Sequence, residues 1–179
     1  MSDEKQEEQD FQRHLIAIGK VASNFALLEV MTSHLCRAFL GTNAAATEVI
    51  SRNVTYGRLL DVIGGLAILR LPEGEARKEL FRVLQLAQNA ATARNNILHS
   101  PYAAPDEGAP GGDVLKRVHR RATRTKGLLP SETNEGTAEI EQTVPQIHQV
   151  VAEIQSLADV LDEAAPDVAA RLREMPTLG

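Results

Sequence analysis

The chain has 179 residues, enough for one domain with a sizeable core, and 43% of them are hydrophobic, as in ordinary soluble proteins. A net charge of -5 excludes a general nucleic-acid binder, because such proteins carry a net basic surface, so any nucleic-acid site is expected to be local. The single cysteine, Cys36, excludes an internal disulfide, and no cysteine or histidine cluster has metal-ligand spacing. We therefore expect a reducing compartment, no metal and no cofactor.

The N-terminal segment is acidic, where a signal peptide would be basic and then apolar. No uninterrupted apolar run reaches the roughly 18 residues of a membrane-spanning helix. We expect a disordered acidic leader at residues 1–9, a cytoplasmic protein and no membrane association. A single helical domain is predicted over 10–165, with an inserted loop and ribbon at 100–143 and a C-terminal tail at 166–179.

Three helices are predicted in the first part of the chain. Asp10 can cap a first helix of about 30 residues that ends at Gly41. Residues 44–54 predict a short second helix, and Thr55 can cap a third. Gly64 and Gly65 weaken the third helix but would let a neighbouring helix approach closely. The predicted apolar face of the first helix consists of Phe11, Leu15, Ile18, Ala22, Phe25, Cys36 and Leu40.

The fourth predicted helix, from about Glu75 to His99, has the strongest periodic pattern. Arg94 falls within its apolar face, and Pro101 should end the helix so that His99 lies in the last turn. A polar stripe along the edge of that face consists of Gln88, Thr92, Asn95 and His99. The apolar face itself consists of Leu80, Val83, Leu84, Ala87, Ala90, Ala91, Ile97 and Leu98.

Glu29 falls near the centre of the apolar face predicted for the first helix, as Arg94 does on the fourth. Burying a lone ion costs several kcal/mol even after relaxation, so buried charges are almost always paired. We therefore predict a contact between Glu29 and Arg94. Arg58 and His34 are the competing partners for Glu29.

A basic segment follows the fourth helix, at residues 114–126. Its β-branched residues and the turn signals on both sides predict an extended ribbon, paired with residues 137–143. Six basic residues lie in it, namely Lys116, Arg117, Arg120, Arg121, Arg124 and Lys126. The first five are candidates for binding phosphates. Alternatively, acidic residues beyond the turn neutralise the segment as cross-strand pairs, namely Glu132, Glu135, Glu139 and Glu141.

Thr143 can cap a last long helix with Pro145 in its first turn, and Pro166 stops it. Its predicted apolar face consists of Ile147, Val150, Val151, Ile154, Leu157, Ala158 and Leu161. The residues after Pro166 could form one more short helix but have little to bury, so we expect them to pack on a partner chain or to fray. The predicted fold is all-α, an up-and-down helical bundle of four to five main helices with a small β-ribbon inserted between the last two long helices.

The end of the fourth helix resembles the signature of the HEPN superfamily (higher eukaryotes and prokaryotes nucleotide-binding). That signature is an Arg, four to six residues and then a His, often with Asn directly after the Arg. Four residues separate Arg94 from His99, and Asn95 holds the preferred place. The resemblance implies a metal-independent endoribonuclease, such as a toxin or defence effector, acting on RNA as a homodimer. A protein antitoxin or regulator is then the expected partner.

If the resemblance extends to activity, chemistry suggests a role for each residue. His99 would serve as acid or base while the RNA 2'-hydroxyl attacks the adjacent phosphate. Arg94 would hold that phosphate and stabilise the extra charge of the transition state. Asn95 would orient the imidazole or a phosphate oxygen, and Glu29 would support Arg94.

A different class of function fits the same residues. His99 could bond the last carbonyls of its helix, and Arg94 could join a structural ion pair. The protein would then be a non-catalytic helical dimer that acts as a regulatory or adaptor module. The chain has four Phe, two Tyr and no Trp, so it lacks an aromatic platform for tight, sequence-specific RNA recognition.

Overall fold

The computed structural model describes residues 2–99, 102–103, 114–123 and 127–175, and the side chains of 8–99 and 136–175. It is mostly helical, which confirms the all-α class. Contacts along the chain define two compact units, each made of two separate stretches. The first unit comprises residues 1–23 and 93–145, and the second comprises 24–92 and 146–179. The single domain over 10–165 stays a prediction.

The helices of the first half of the chain are α1 (Ser2–Leu40), α2 (Ala44–Asn53), α3 (Tyr56–Arg70) and α4 (Glu75–Leu98). Their starts follow from side-chain caps. The Asn43 side chain accepts a hydrogen bond from the Ala46 N–H at 2.9 Å and caps α2. The Thr55 hydroxyl accepts one from the Arg58 N–H at 3.4 Å, so Thr55 caps α3 as predicted.

Helix α1 begins at Ser2, where we expected a disordered leader through residue 9. Glu, Lys and Gln are good helix formers, and acidic residues are favoured in a first helical turn. Asp10 is therefore not a cap: it lies inside the helix, is buried, and accepts a hydrogen bond from Arg13 at 3.4 Å. Gly41 ends the helix at φ +67°, a left-handed conformation that favours glycine.

The buried face of α1 in the first unit is rotated by one residue from the predicted one. The predicted positions Phe11 and Leu15 are 50% and 49% exposed. The residues that are buried instead are Asp10, His14, Ala17 and Val21. Two adjacent faces of this helix carry apolar residues, and the buried one also carries two polar side chains, so hydrophobic periodicity favoured the wrong face.

The faces predicted for α4 and the last long helix are confirmed. Every predicted apolar position of α4 is buried except Leu98, which is half-buried. The second half of the chain contains α5 (Thr137–Glu141), α6 (Thr143–Val160) and α7 (Pro166–Arg173). All seven predicted apolar positions of α6 are buried. In these two helices, three-and-four periodicity identified the buried face.

The C-terminal residues form the additional short helix that the sequence allowed, and this helix is packed instead of frayed. The buried residues of α7 are Val168, Ala169 and Leu172. Within the second unit, the Arg171 guanidinium donates to the Ala38 carbonyl at 3.0 Å and to the Asp167 carboxylate at 3.0 Å. Arg70 also donates to Asp167. The expectation that this segment has little to bury was wrong, because small apolar residues on one face of a short helix suffice.

Three backbone segments are extended: β1 (Tyr102–Ala103), β2 (Val114–Thr123) and β3 (Gly127–Gly136), paired antiparallel in the order β1-β2-β3. The partner of β2 is thus β3, and not residues 137–143 as predicted. Residues Thr137–Glu141 form α5 instead. The Glu139 carboxylate accepts a hydrogen bond from the Gly136 N–H at 3.0 Å, and this cap starts a helix where the strand was expected to continue.

The two adjacent glycines of α3 have different surroundings within the second unit. A Cβ added at Gly64 would lie 3.3 Å from Phe81 Cε1 of α4, whereas one at Gly65 would meet nothing within 4 Å. The close approach that small residues were expected to allow occurs at Gly64 alone of the two.

Residues Glu8–Leu40 of α1 form a helix long and apolar enough to cross a membrane, judged by length and composition. Buried core helices of soluble proteins share both properties. The length and composition of this helix do not determine where the protein is located, so the cytoplasmic location stays a prediction.

Candidate functional site

The predicted HEPN-like residues lie where α4 ends. The backbone N–H of His99 donates to the Asn95 carbonyl at 3.0 Å, so helical hydrogen bonding continues to His99 as the position of Pro101 predicted. Asn95 and His99 are one helical turn apart, and both are exposed to solvent. A substrate can therefore reach both side chains.

Arg94 is half-buried, next to buried positions of the α4 face such as Ile97. Its Nη1 donates to Asn95 Oδ1 at 2.8 Å, while its Nε is buried. The hydrogen bond draws one arm of the guanidinium to the exposed edge that carries His99. Because Asn95 Oδ1 accepts from Arg94, the Asn95 amide can offer its N–H donors to an anion.

Glu29 was predicted near the centre of a buried face, but the structure places it at the surface. It is exposed, so the desolvation argument for a charged partner does not apply to it. It belongs to the second compact unit and Arg94 to the first, so their contact stays a prediction. Of the competing partners, Arg58 pairs with Asp61 at 3.4 Å, and His34 lines the same cleft as Glu29.

Four of the five candidate phosphate-binding residues lie on β2, and Arg124 lies outside the described residues. The backbone register pairs Lys116 with Asn134, Arg117 with Thr133, Arg120 with Pro130 and Arg121 with Leu129. No acidic residue is therefore directly opposite any of these four.

The acidic residues expected to neutralise the basic segment have other places in the structure. Glu132 is in register with Val118, and Glu135 with Leu115. Glu139 caps α5, as described above, and the Glu141 carboxylate pairs with Lys20 at 2.6 Å. In the described backbone register, neither Glu132 nor Glu135 is thus directly opposite a basic residue of β2, and cross-strand neutralisation stays an alternative.

A cleft in the second unit escaped the sequence analysis. Helices α1, α2 and α3 enclose a volume of about 640 Å³ there, and Glu29 and His34 line it. The only sequence signal was the four-residue spacing of Glu29, Ser33 and Arg37 on one helix, which does not indicate a cleft without the packing of α2 and α3.

Within the described residues, no group of three or more His, Cys, Asp or Glu side chains is placed to hold a metal ion. Cys36 is buried, and burial raises the pKa of its thiol, which disfavours the reactive thiolate. No protein-family model, curated protein or solved structure matches this chain.

Proposed function

We propose that this protein is a HEPN-type, metal-independent endoribonuclease that cleaves RNA by attack of the 2'-hydroxyl and acts as a toxin or defence effector. The observation that carries the proposal is the 2.8 Å hydrogen bond from Arg94 to Asn95 beside the exposed His99. We also infer that the helices form an up-and-down bundle with the paired strands as an inserted ribbon. The motif at the end of α4 supports the proposed activity, and the mostly helical content of the chain supports the proposed bundle.

The reaction needs two proton transfers and one stabilised anion. A base removes the 2'-hydroxyl proton, the 2'-oxygen bonds to phosphorus, and the bond from phosphorus to the 5'-oxygen breaks as an acid protonates that oxygen. An imidazole can perform either transfer near neutral pH, and His99 is exposed to do so. Arg94 supplies permanently charged donors for the phosphate oxygens, and the Asn95 amide adds a neutral one.

One histidine cannot take one proton and give the other in the same step. A homodimer resolves this, because a two-fold axis near the ends of two α4 helices would place two copies of His99 in one cleft. Asn95 and His99 are both exposed on the single chain, so both are available to such an assembly. A protein antitoxin or regulator could inhibit the enzyme by covering the same edge.

The basic residues of β2 would bind phosphates on either side of the cleavage site. The proposed contacts are Lys116, Arg117, Arg120 and Arg121, with Arg124 following them in the sequence. Their register opposite non-acidic residues supports this role. Binding through phosphates would weaken steeply as salt concentration rises, since each contact releases counterions.

The test is incubation of the purified protein with mixed RNA in EDTA, followed by analysis of the product ends. We expect cleavage to persist and to leave 2',3'-cyclic phosphates. His99→Ala should lower the rate at least about 100-fold, the usual contribution of a general acid or base, while circular dichroism remains that of the wild type.

A lack of cleavage by the folded wild type would overturn the proposal. If Arg94→Ala also lost much of its stability, the result would favour the non-catalytic helical dimer, in which Arg94 organises packing.

A further inference from the structure

The cleft of the second unit has the size of a small-molecule site. Its volume of about 640 Å³ lies within the roughly 300–1,000 Å³ typical of ligand pockets. Helix α1 forms one side, with Glu29, Ser33 and Arg37 at intervals of four residues. Val54 and Leu59 contribute apolar surface from the other side. The cleft thus combines apolar surface with charged side chains on α1 and α2.

The two charges on α1 are of opposite sign and lie far apart. Arg37 follows Glu29 by eight positions, which is about 12 Å along a helix axis. Within the described residues of the second unit, neither side chain makes an ion pair or a side-chain hydrogen bond. The other two ions of the cleft satisfy each other, since Arg52 pairs with Glu48 at 2.5 Å. Glu29 and Arg37 are left to interact with a ligand.

The remaining ionisable groups of the cleft add no charge near neutral pH. Burial, and then the nearby Arg37 guanidinium, lower the pKa of His34, so its ring is neutral. Burial raises the pKa of Tyr56, whose hydroxyl is hydrogen-bonded to the Thr32 hydroxyl at 2.9 Å. The Tyr56 ring also meets Phe25 edge-on, with centroids 5.0 Å apart, which fixes this wall of the cleft.

We propose that the cleft binds an elongated zwitterion, with a carboxylate at the Arg37 end, an ammonium at the Glu29 end and a hydrocarbon chain between them. The planar guanidinium of Arg37 suits a carboxylate through paired hydrogen bonds. Val30, which lines the cleft and is 50% exposed, gains an apolar neighbour when the chain binds. This inference does not depend on ribonuclease activity.

The test uses the full chain and NMR titration of backbone amides with three probes. These are 8-aminooctanoate, whose extended length is close to the charge separation, and octanoate and octylamine, which carry one charge each. We expect 8-aminooctanoate to bind at least about tenfold more tightly than either single-charge probe and to shift the amides of α1, α2 and α3 around the cleft.

Charge variants should separate the two ends. Arg37→Gln should weaken octanoate about tenfold and leave octylamine unchanged, and Glu29→Gln should do the reverse. Arg58→Gln is the matched control, because Arg58 is exposed, pairs with Asp61 and does not line the cleft. Equal binding of all three probes, or equal effects of Arg37→Gln and Arg58→Gln, would overturn the proposal whatever the result of the RNA assay.

Discussion

The two glycines of α3 allow a sharp test of how α3 packs on α4. Glycine inside a helix costs roughly 0.5–1 kcal/mol relative to alanine, because it loses more backbone freedom on folding. A methyl group at Gly65 would meet nothing within 4 Å. Gly65→Ala should therefore raise the free energy of unfolding by about 0.5–1 kcal/mol, or the melting temperature by about 1–4 °C in a chain of this size.

Gly64→Ala should gain the same backbone term, but crowding should cancel most or all of it. The new methyl would lie 3.3 Å from Phe81 Cε1, so the ring must move by a few tenths of an ångström. Overpacking a fitted site costs about 1–3 kcal/mol, and Phe81 is 39% exposed and can yield, so the lower part of that range applies. We expect Gly64→Ala to be at least about 0.5 kcal/mol less stable than Gly65→Ala.

Urea denaturation of both variants measures this difference, with equal slopes required for the comparison. In a Phe81→Ala background the gap between the two glycine variants should close, as a double-mutant cycle predicts for a direct contact. The packing argument is refuted if Gly64→Ala stabilises the protein as much as Gly65→Ala.

Three further predictions follow from burial. The pKa of Tyr56 in the folded protein should lie above its ordinary value of about 10. Because the unfolded chain then loses this proton first, the free energy of unfolding should fall as the pH rises beyond about 10. Tyr56→Phe should remove part of this pH dependence when unfolding is followed by ultraviolet absorbance. Leu172→Ala should cost about 2–5 kcal/mol in urea, and a negligible cost would mean that α7 frays. By the same assay, Leu28→Ala should lower the free energy of unfolding by about 2–5 kcal/mol and Leu15→Ala by clearly less. Equal losses would mean that Leu15 is buried, as the sequence predicted.

The buried faces of α4 and α6 could be predicted from the sequence and part of the buried face of α1 could not, for a physical reason. In α4 and α6 the apolar residues form one face with polar residues around it, so only one orientation buries them. In α1 apolar residues occupy two adjacent faces, and tertiary packing decided between them. The buried side includes Asp10 and His14, which a hydrophobic pattern would never select.

The candidate site was predictable to the extent that it depends on one helix. Asn95 and His99 share an exposed edge because four-residue spacing in a helix dictates it. The cleft around Arg37 depends on how three helices pack, and the single sequence holds no signal for that. The exposure of Glu29 was missed because the apolar face predicted for α1 included its position.

The strand predicted at residues 137–143 does not form, because a local helix cap begins α5 there. Glu139 accepts the Gly136 N–H and starts α5, so the strand cannot extend through Thr137. The register of β2 and β3 accordingly begins at the pair Val114 and Gly136 and runs to Thr123 and Gly127.

The most direct test of the proposed ribonuclease site at the end of α4 compares two neighbouring asparagines. Asn95 and Asn96 are both exposed on α4, so their alanine variants should have similar stability, and of the two it is Asn95 whose side chain accepts a hydrogen bond from Arg94. The rate of RNA cleavage in EDTA should fall at least about tenfold in Asn95→Ala, the effect of losing about 1.4 kcal/mol of transition-state stabilisation, and should be unchanged in Asn96→Ala. Equal rates for the two variants would contradict the account.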